Sequence, residues 1–162
     1  MKQTLVNEHD KIIGYKERSD ISSDDIYRVS ALWIENSKWE VLLAQRGFLK
    51  RNNPGKWGAA VAGTIDEWES YEENIYKEAQ EEIGLTGEIF QEDIRARVSG
   101  RWNYFCQWFT LVLERDIWDF IKEEGQIESL RWFTREELLH LIEKSPEIFT
   151  EGFCNYITKR LS

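Results

Sequence analysis

Cysteine, proline and positive charge are all scarce in this chain, and each scarcity removes a class of protein. Two cysteines, Cys106 and Cys154, among 162 residues are too few for a disulfide framework. They imply free thiols and a cytoplasmic location. Two prolines, Pro54 and Pro146, leave no rigid linker, and no internal repeat or low-complexity segment is present. No stretch approaches the length of a membrane span, and the opening residues MKQTLVNEHDK contain no apolar signal core, so no membrane partner is expected. With 21 basic against 30 acidic residues the net charge is −9, which argues against a nucleic-acid polymer as partner, because phosphate backbones reward Lys and Arg on the binding face. A small phosphorylated substrate stays possible, since a bound divalent metal reverses the local sign of the field.

Aromatic residues, by contrast, are plentiful at 14%, with eight tryptophans. Such side chains carry large burial energies, and some can stack on a flat substrate group. The length suits one domain spanning 1–162.

Along the chain, residues 1–25 are polar and read as an N-terminal arm or short hairpin. Arg28–Glu35 and Glu40–Gln45 read as strands joined by a turn at Asn36-Ser37-Lys38. A basic, turn-rich loop from Arg46 to Gly58 leads into a short strand, Ala59–Thr64. Ser70 with Glu73 forms a capping-box pattern, Gly84 stands at a helix stop, and Tyr71, Ile75 and Ala79 repeat at helical spacing, which predicts a helix over Tyr71–Ile83. Ile94–Gly100 and Asn103–Glu114 read as a hairpin, Asp119–Gln126 as a loop with a helical turn, and Ser129–Phe133 as a last strand. Thr134 with Glu137 opens a helix to about Lys144, and Pro146 opens another towards Arg160. Strands and helices mix without a βαβ repeat, which argues for an α+β fold with a mixed sheet flanked by helices.

Glu78, Glu81 and Glu82 stand at i, i+3 and i+4, so three carboxylates share one helix face and repel. One account is a solvated acidic face. The other is a site for hard Mg²⁺, which takes carboxylates together with substrate phosphates.

The surrounding segment GTIDEWESYEENIYKEAQEEIGL, residues 63–85, resembles the Nudix box position by position: Gly63, Glu69, Glu78, Ala79, Glu81, Glu82, Gly84 and Leu85 all fit. Lys77 is the sole departure, standing where the family usually has Arg. VLLAQR and PGKWGAAVAG before the box, and LRWFTREEL after it, are similar to the family's flanks, so that Arg28 to Leu139 carries the resemblance most firmly. The resemblance implies a Nudix-type α/β/α sandwich and Mg²⁺-dependent hydrolysis of a diphosphate linkage in a small substrate of the nucleoside-diphosphate type, with Mn²⁺ as a possible substitute metal. It implies Glu78, Glu81 and Glu82 as metal ligands, helped by the backbone carbonyl of Gly63, and a pairing of Glu69 with residue 77 that shapes the box. Lysine there keeps the charge but lacks the planar fork that can hold a carboxylate through two bonds. Many members of the family dimerise, so a homodimer is one expected assembly.

NEHDKIIGYKERSDI and SPEIFTEGF are similar to segments of type 1 isopentenyl diphosphate isomerase and its hydrolase-like relatives. The isomerases use a cysteine where this chain has Ala62, a histidine where it has Arg28, and a further metal-binding carboxylate where it has Gln126. The only histidines, His9 and His140, are remote from the box in sequence. Hydrolysis is therefore the better reading, with isomerase chemistry or a non-catalytic nucleotide-binding module as alternatives. For the general base the candidates are Glu82 and Glu81 of the box and Glu123 or Glu124 of KEEGQIES, the latter pair also readable as loop charges. For phosphate contacts Arg46 comes first, followed by Lys50, Arg51 and Lys56, each of the three also readable as a solvated charge. Trp57 and Trp132 read as core, whereas Trp68, Trp102 and Trp108 are candidates for stacking on substrate.

Overall fold

The structure, a computed structural model, describes residues 1–161. Its strands are β1 (Lys2–Val6), β2 (Ile12–Glu17), β3 (Ile26–Glu35), β4 (Val41–Arg46), β5 (Trp57–Ala59), β6 (Val61–Thr64), β7 (Gln91–Ser99), β8 (Asn103–Val112) and β9 (Ile127–Phe133); its helices are α1 (Tyr71–Ile83), α2 (Arg135–Lys144) and α3 (Glu151–Arg160). The expected α+β sandwich is observed: a mixed sheet lies between α1 on one face and α2 with α3 on the other.

Strand β3 is the centre of this arrangement. One edge runs parallel to β8 over its whole length, from Ile26 opposite Asn103 to Glu35 opposite Val112. Its other edge is shared in succession by β1, β6 and β4, all antiparallel. Because both faces are covered, its sequence is a nearly continuous apolar run, divided by the two-residue period of a strand. Leu32 and Ile34 enter the core under α1, while Ala31 and Trp33 enter the core under α2 and α3. Strand β4 divides likewise, with Leu42 and Ala44 on the first side and Val41 and Leu43 on the second.

Strands β3 and β4 pair only at Ile34–Leu42 and Glu35–Val41, then separate. The segment expected as one strand, Ala59–Thr64, spans the gap as two: β5 pairs with β4, β6 pairs with β3, and Ala60 makes the change between them. A strand that must serve two diverging partners cannot keep one register, and periodicity alone does not reveal that.

Helix α1 has the expected limits. Ser70 Oγ accepts the Glu73 N–H at 3.0 Å, and Gly84, at φ 66°, ends the helix in the left-handed conformation. Only this half of the expected capping box forms, whereas Thr134 and Glu137 complete both halves at the start of α2. The helix expected from Pro146 is broken. A short 3₁₀ turn covers Pro146–Ile148, and the backbone at Phe149 and Thr150 is extended before α3 begins. Tertiary pairing causes the break: Phe149 is buried and bridges Trp57, whose carbonyl accepts the Thr150 N–H at 2.9 Å.

The N-terminal residues form the β1–β2 hairpin, not a loose arm. Its turn is anchored by Asp10, whose side chain is only 8% exposed. That carboxylate accepts from Arg28 at 2.7 Å, Arg95 at 2.9 Å and the Tyr71 hydroxyl at 3.0 Å, and both guanidiniums lie over the Tyr71 ring. One residue thus ties the hairpin to β3, β7 and the first turn of α1. Among the described residues no helix is long and apolar enough to cross a membrane.

This cluster makes a direct prediction. Asp10→Asn retains the shape and tolerates the left-handed backbone at φ 57°. It removes the charge that balances Arg28, so stability should fall by about 3 kcal/mol, the scale of a broken buried pair. Denaturant unfolding of the variant measures this, and a loss of under about 1 kcal/mol, the worth of an exposed pair, would show that the cluster is incidental.

Candidate functional site

Helix α1 docks its apolar stripe, Ile75, Ala79 and Ile83, into the sheet, and this rotation carries Glu78 and Glu82 to the edge of β6. Gly63 is what allows the approach. A Cβ built there would stand 2.6 Å from Glu78 Cδ and 2.9 Å from Glu78 Oε1, so any side chain would expel the carboxylate. Burial, followed by the charges of Glu81 and Glu69, pushes the Glu78 carboxyl up to about 7 against the opposing attraction of Lys77. Burial and the charge of Glu78 push Glu82 well above the ordinary carboxylate range. Glu82 Oε1 is buried and has no hydrogen-bond partner. Glu81 is exposed at the mouth of the same site.

Beside these carboxylates, the box loop is braced from two directions. Lys77 Nζ lies 2.6 Å from Glu69 and 3.2 Å from Asp66. Asn74, fully buried in α1, donates to the Thr64 carbonyl at 3.1 Å and to Glu69 at 3.0 Å, while the Ser30 hydroxyl donates to it at 2.5 Å. Burial alone would raise Glu69, but hydrogen bonds from Lys77, the Asp66 N–H and Asn74 outweigh it and lower its pKa. Lysine therefore takes the place of a forked guanidinium by spanning two separate carboxylates.

A cleft of about 580 Å³ opens over the point where β5 passes into β6. Gly63, Glu78, Glu81 and Glu82 line one part, and Glu123 joins them from the loop before β9. The Glu123 N–H donates to the Glu82 carbonyl at 2.8 Å, which fixes that loop to α1. Arg46, Lys50 and Lys56 line the cleft too. Arg46 Nε donates to the Asn52 carbonyl at 2.9 Å, and Lys50 contacts Gln126. Burial, aided by mutual repulsion with Arg18, lowers the pKa of Arg46 and of Lys50, while Glu82 acts on both in the opposite sense. Cations and carboxylates thus face a common space, an arrangement suited to phosphate oxygens bound beside a metal ion.

Not every residue singled out from sequence reaches this space. Arg51 and Glu124 are exposed and outside the cleft lining. Trp108 is core, stacked at 3.8 Å on Tyr156 although its edge touches the cleft floor; Trp68 is 82% exposed beside Tyr15; Trp102 lines the cleft. Arg18 was not singled out, because nothing in its polar local sequence distinguishes it; only the fold of the N-terminal hairpin brings it to Arg46 and Lys50. Ala62 lines the cleft, Arg28 is held by Asp10, and Cys106 is buried with its thiol pushed far up by burial. Among the described residues, no set of three His, Cys, Asp or Glu side chains is already drawn together into a metal cage. The unpartnered inner oxygen of Glu82 and the oxygen-only donor set nevertheless fit a hard divalent cation.

Comparison with known proteins gives the family and the fold. Residues 26–152 match the family model described as NUDIX domain. An isopentenyl-diphosphate Delta-isomerase of Corynebacterium diphtheriae is 21% identical, covering 90% of this chain and 85% of its own. A Nudix hydrolase of Listeria monocytogenes, described as uncharacterized, is 22% identical and covers 94% and 90%. Further Nudix hydrolases match over about half their length. A crystal structure from Deinococcus radiodurans superposes with a TM-score of 0.83 at 23% identity, covering 98% of both chains, a likeness of fold.

The raised Glu78 carboxyl has a measurable consequence for the metal-free protein. Its ordinary value is 4.5 and its folded value about 7, so across that window the folded state holds a proton that the unfolded state releases. The stability this contributes is full below the lower value and lost as pH rises through the upper one. In EDTA, the melting temperature of wild type relative to Glu78→Gln should therefore fall as pH is raised through that window. A difference that stays flat or grows with pH would show that Glu78 titrates as an ordinary surface carboxylate.

Proposed function

The chain belongs to the NUDIX domain family, as a Nudix hydrolase, and from that premise we propose that it hydrolyses a diphosphate linkage in a small molecule with the help of a divalent cation, Mg²⁺ in the first instance and Mn²⁺ as a substitute. The observation that carries the reading is Glu82: a buried carboxylate with an unpartnered oxygen, beside a second half-buried carboxylate, in a cleft lined by cations. Such a group costs stability unless something positive binds it. When bound, the cation neutralises diphosphate oxygens and acidifies water.

The roles of the chain's own groups follow from their places. Glu78, Glu81, Glu82 and the Gly63 carbonyl would hold the cation. Arg46, Lys50 and Arg18 would bind the phosphate oxygens that face away from it, with Lys56 at the cleft wall. Glu123 is the base we favour, since it lines the cleft, is fixed to α1 through its own backbone, and is not needed as a ligand. It would take the proton of the attacking water as the bond between phosphorus and the leaving oxygen breaks. The cytoplasmic location rests on the two free thiols. We propose further that the whole of 1–162 acts as one domain, because the hairpin outside the matched region supplies both Arg18 and the Asp10 anchor.

A second reading, isomerisation of isopentenyl diphosphate, is favoured by the named relatives but not by the residues. That chemistry needs a protonating and deprotonating pair at the alkene. Ala62 has no ionisable group, Arg28 is committed to Asp10, and the Cys106 thiol is buried. No allylic isomer should form from isopentenyl diphosphate, and its appearance by NMR at a useful rate would reinstate the isomerase.

Hydrolysis itself is tested by phosphate release from a panel of diphosphates. Activity should require Mg²⁺ or Mn²⁺, and either ion should raise the melting temperature. Glu81→Gln and Glu82→Gln should each lower turnover by at least about a hundredfold. Glu82→Gln should not weaken the metal-free fold, because it removes a buried repulsive charge. Full activity in excess EDTA, or wild-type rates in both variants, would defeat the reading. Lys77→Met should weaken metal binding, since Glu69 and Asp66 then lose the charge that joins them; unchanged affinity by calorimetry would make Lys77 a bystander.

A further inference from the structure

Where α1 packs on the sheet, two polar residues are buried completely: Asn74 of the helix and Ser30 of β3. Ser30 shares its side of β3 with Leu32 and Ile34 and faces α1 as they do. Its hydroxyl donates to Asn74 Oδ1, while Asn74 Nδ2 donates to the Thr64 carbonyl at 3.1 Å and to Glu69 Oε1 at 3.0 Å. The amide takes only this orientation, because a carbonyl and a carboxylate accept and do not donate. Both amide hydrogens are therefore used, and one side chain joins α1 to β3, to the end of β6 and to the box loop.

Stability does not account for this pair. Apolar side chains of similar shape would bury comparable area without desolvating a hydroxyl and an amide, and such replacements are near neutral or stabilising. What the polar pair adds is direction, since hydrogen bonds constrain distance and angle where apolar contact does not. The helical repeat shows where that direction acts. Asn74 lies four residues before Glu78, so the two are neighbours on one face of α1, a turn apart. Ser30 is opposite Gly63 in the β3–β6 ladder, and Gly63 is the residue against which the Glu78 carboxylate rests. Asn74 thus clamps the helix to both strands one turn ahead of the point where a carboxylate of the cation site meets strand backbone. Lys77, the outer brace, contacts carboxylates only and is bonded to neither strand.

Resting on the cation-dependent reading above, we propose that Asn74, with Ser30, is a positioning residue that holds Glu78 at a fixed distance from β6 and so makes the site selective for a small divalent cation over a large one. Mg²⁺ demands near-ideal geometry from its oxygens, whereas Ca²⁺ accepts longer and more varied contacts. A carboxylate free to shift against the strand still satisfies Ca²⁺ but serves Mg²⁺ poorly. The rigidity supplied by Asn74 is therefore expressed as a ratio of two affinities.

The test is calorimetric titration of Mg²⁺ and of Ca²⁺ into the metal-free protein, for wild type and for Asn74→Ala, Asn74→Leu and Ser30→Ala. Melting temperatures in EDTA show whether each variant is folded. Asn74→Ala should weaken Mg²⁺ binding by about ten- to a hundredfold, the scale on which groups behind metal ligands act, and Ca²⁺ binding by less than about threefold. Asn74→Leu, which fills the same space without hydrogen bonds, should shift the ratio as far, which separates direction from packing. Ser30→Ala should shift it the same way by a smaller factor, because the amide keeps both of its donated bonds. A ratio unchanged from wild type in the folded variants would overturn the inference and leave Asn74 a structural residue, with the cation site intact. If neither Asn74 variant folds, Ser30→Ala decides by the same criterion. Wild type that binds neither ion removes the cation site of the proposed function, and this inference with it. If the ratio shifts as expected and no diphosphate is cleaved, the clamp stands and hydrolysis falls.

Discussion

Two strands that begin together and then separate determine where everything else in this molecule sits. Strands β3 and β4 share only two residue pairs before they diverge, and the chain bridges the opening by pairing first with one and then with the other across Ala60. A continuous sheet would have no interior edge at this point. The separation creates one, and with it a hollow bordered by backbone on both sides. Gly63 lies just beyond the change of partner, where its missing side chain admits a glutamate from α1. The hairpin, the loop before β9 and the start of α3 each reach the same hollow from other directions.

The carboxylates that occupy this edge are held in a position that opposes folding. Burial works against the charge of Glu78 and of Glu82, and the charge of Glu78 makes ionisation of Glu82 harder still. The surroundings limit the cost without removing it. Lys77 attracts Glu78 while remaining bonded to Glu69 and Asp66, and Asn74 fixes Glu69 from the buried side of the helix. The inner oxygen of Glu82 receives nothing. Stability given up at one point in this way is the usual mark of a site prepared for a ligand.

The features legible in the sequence were those with local causes. Ser70 and Gly84 marked both ends of α1 because a cap and a left-handed stop act within a single turn. The box carboxylates share a face by spacing alone, so Glu78, Glu81 and Glu82 were visible before any fold was known. Long-range pairing explains what was not visible. The helix after Pro146 is interrupted because Phe149 and Thr150 pair with Trp57, about ninety residues earlier in the chain. Arg18 and Glu151 belong to the cleft through the docking of a hairpin and a helix, and neither has a neighbour in sequence that hints at it. Trp108 failed as a stacking surface for a related reason, since the ring it stacks upon, Tyr156, comes from the last helix.

The parallel ladder between β3 and β8 also bears on how the protein is made. Residues 26–35 wait for residues 103–112 before their second edge is closed, and no shorter connection substitutes. While the chain is still emerging from the ribosome, a long strand that carries Leu32, Trp33 and Ile34 into the core therefore has an open flank. Parallel pairings of this span form late, and an unpaired apolar strand is the template on which nascent chains associate. The strand that organises the finished fold is thus left open to association until residues 103–112 have been made.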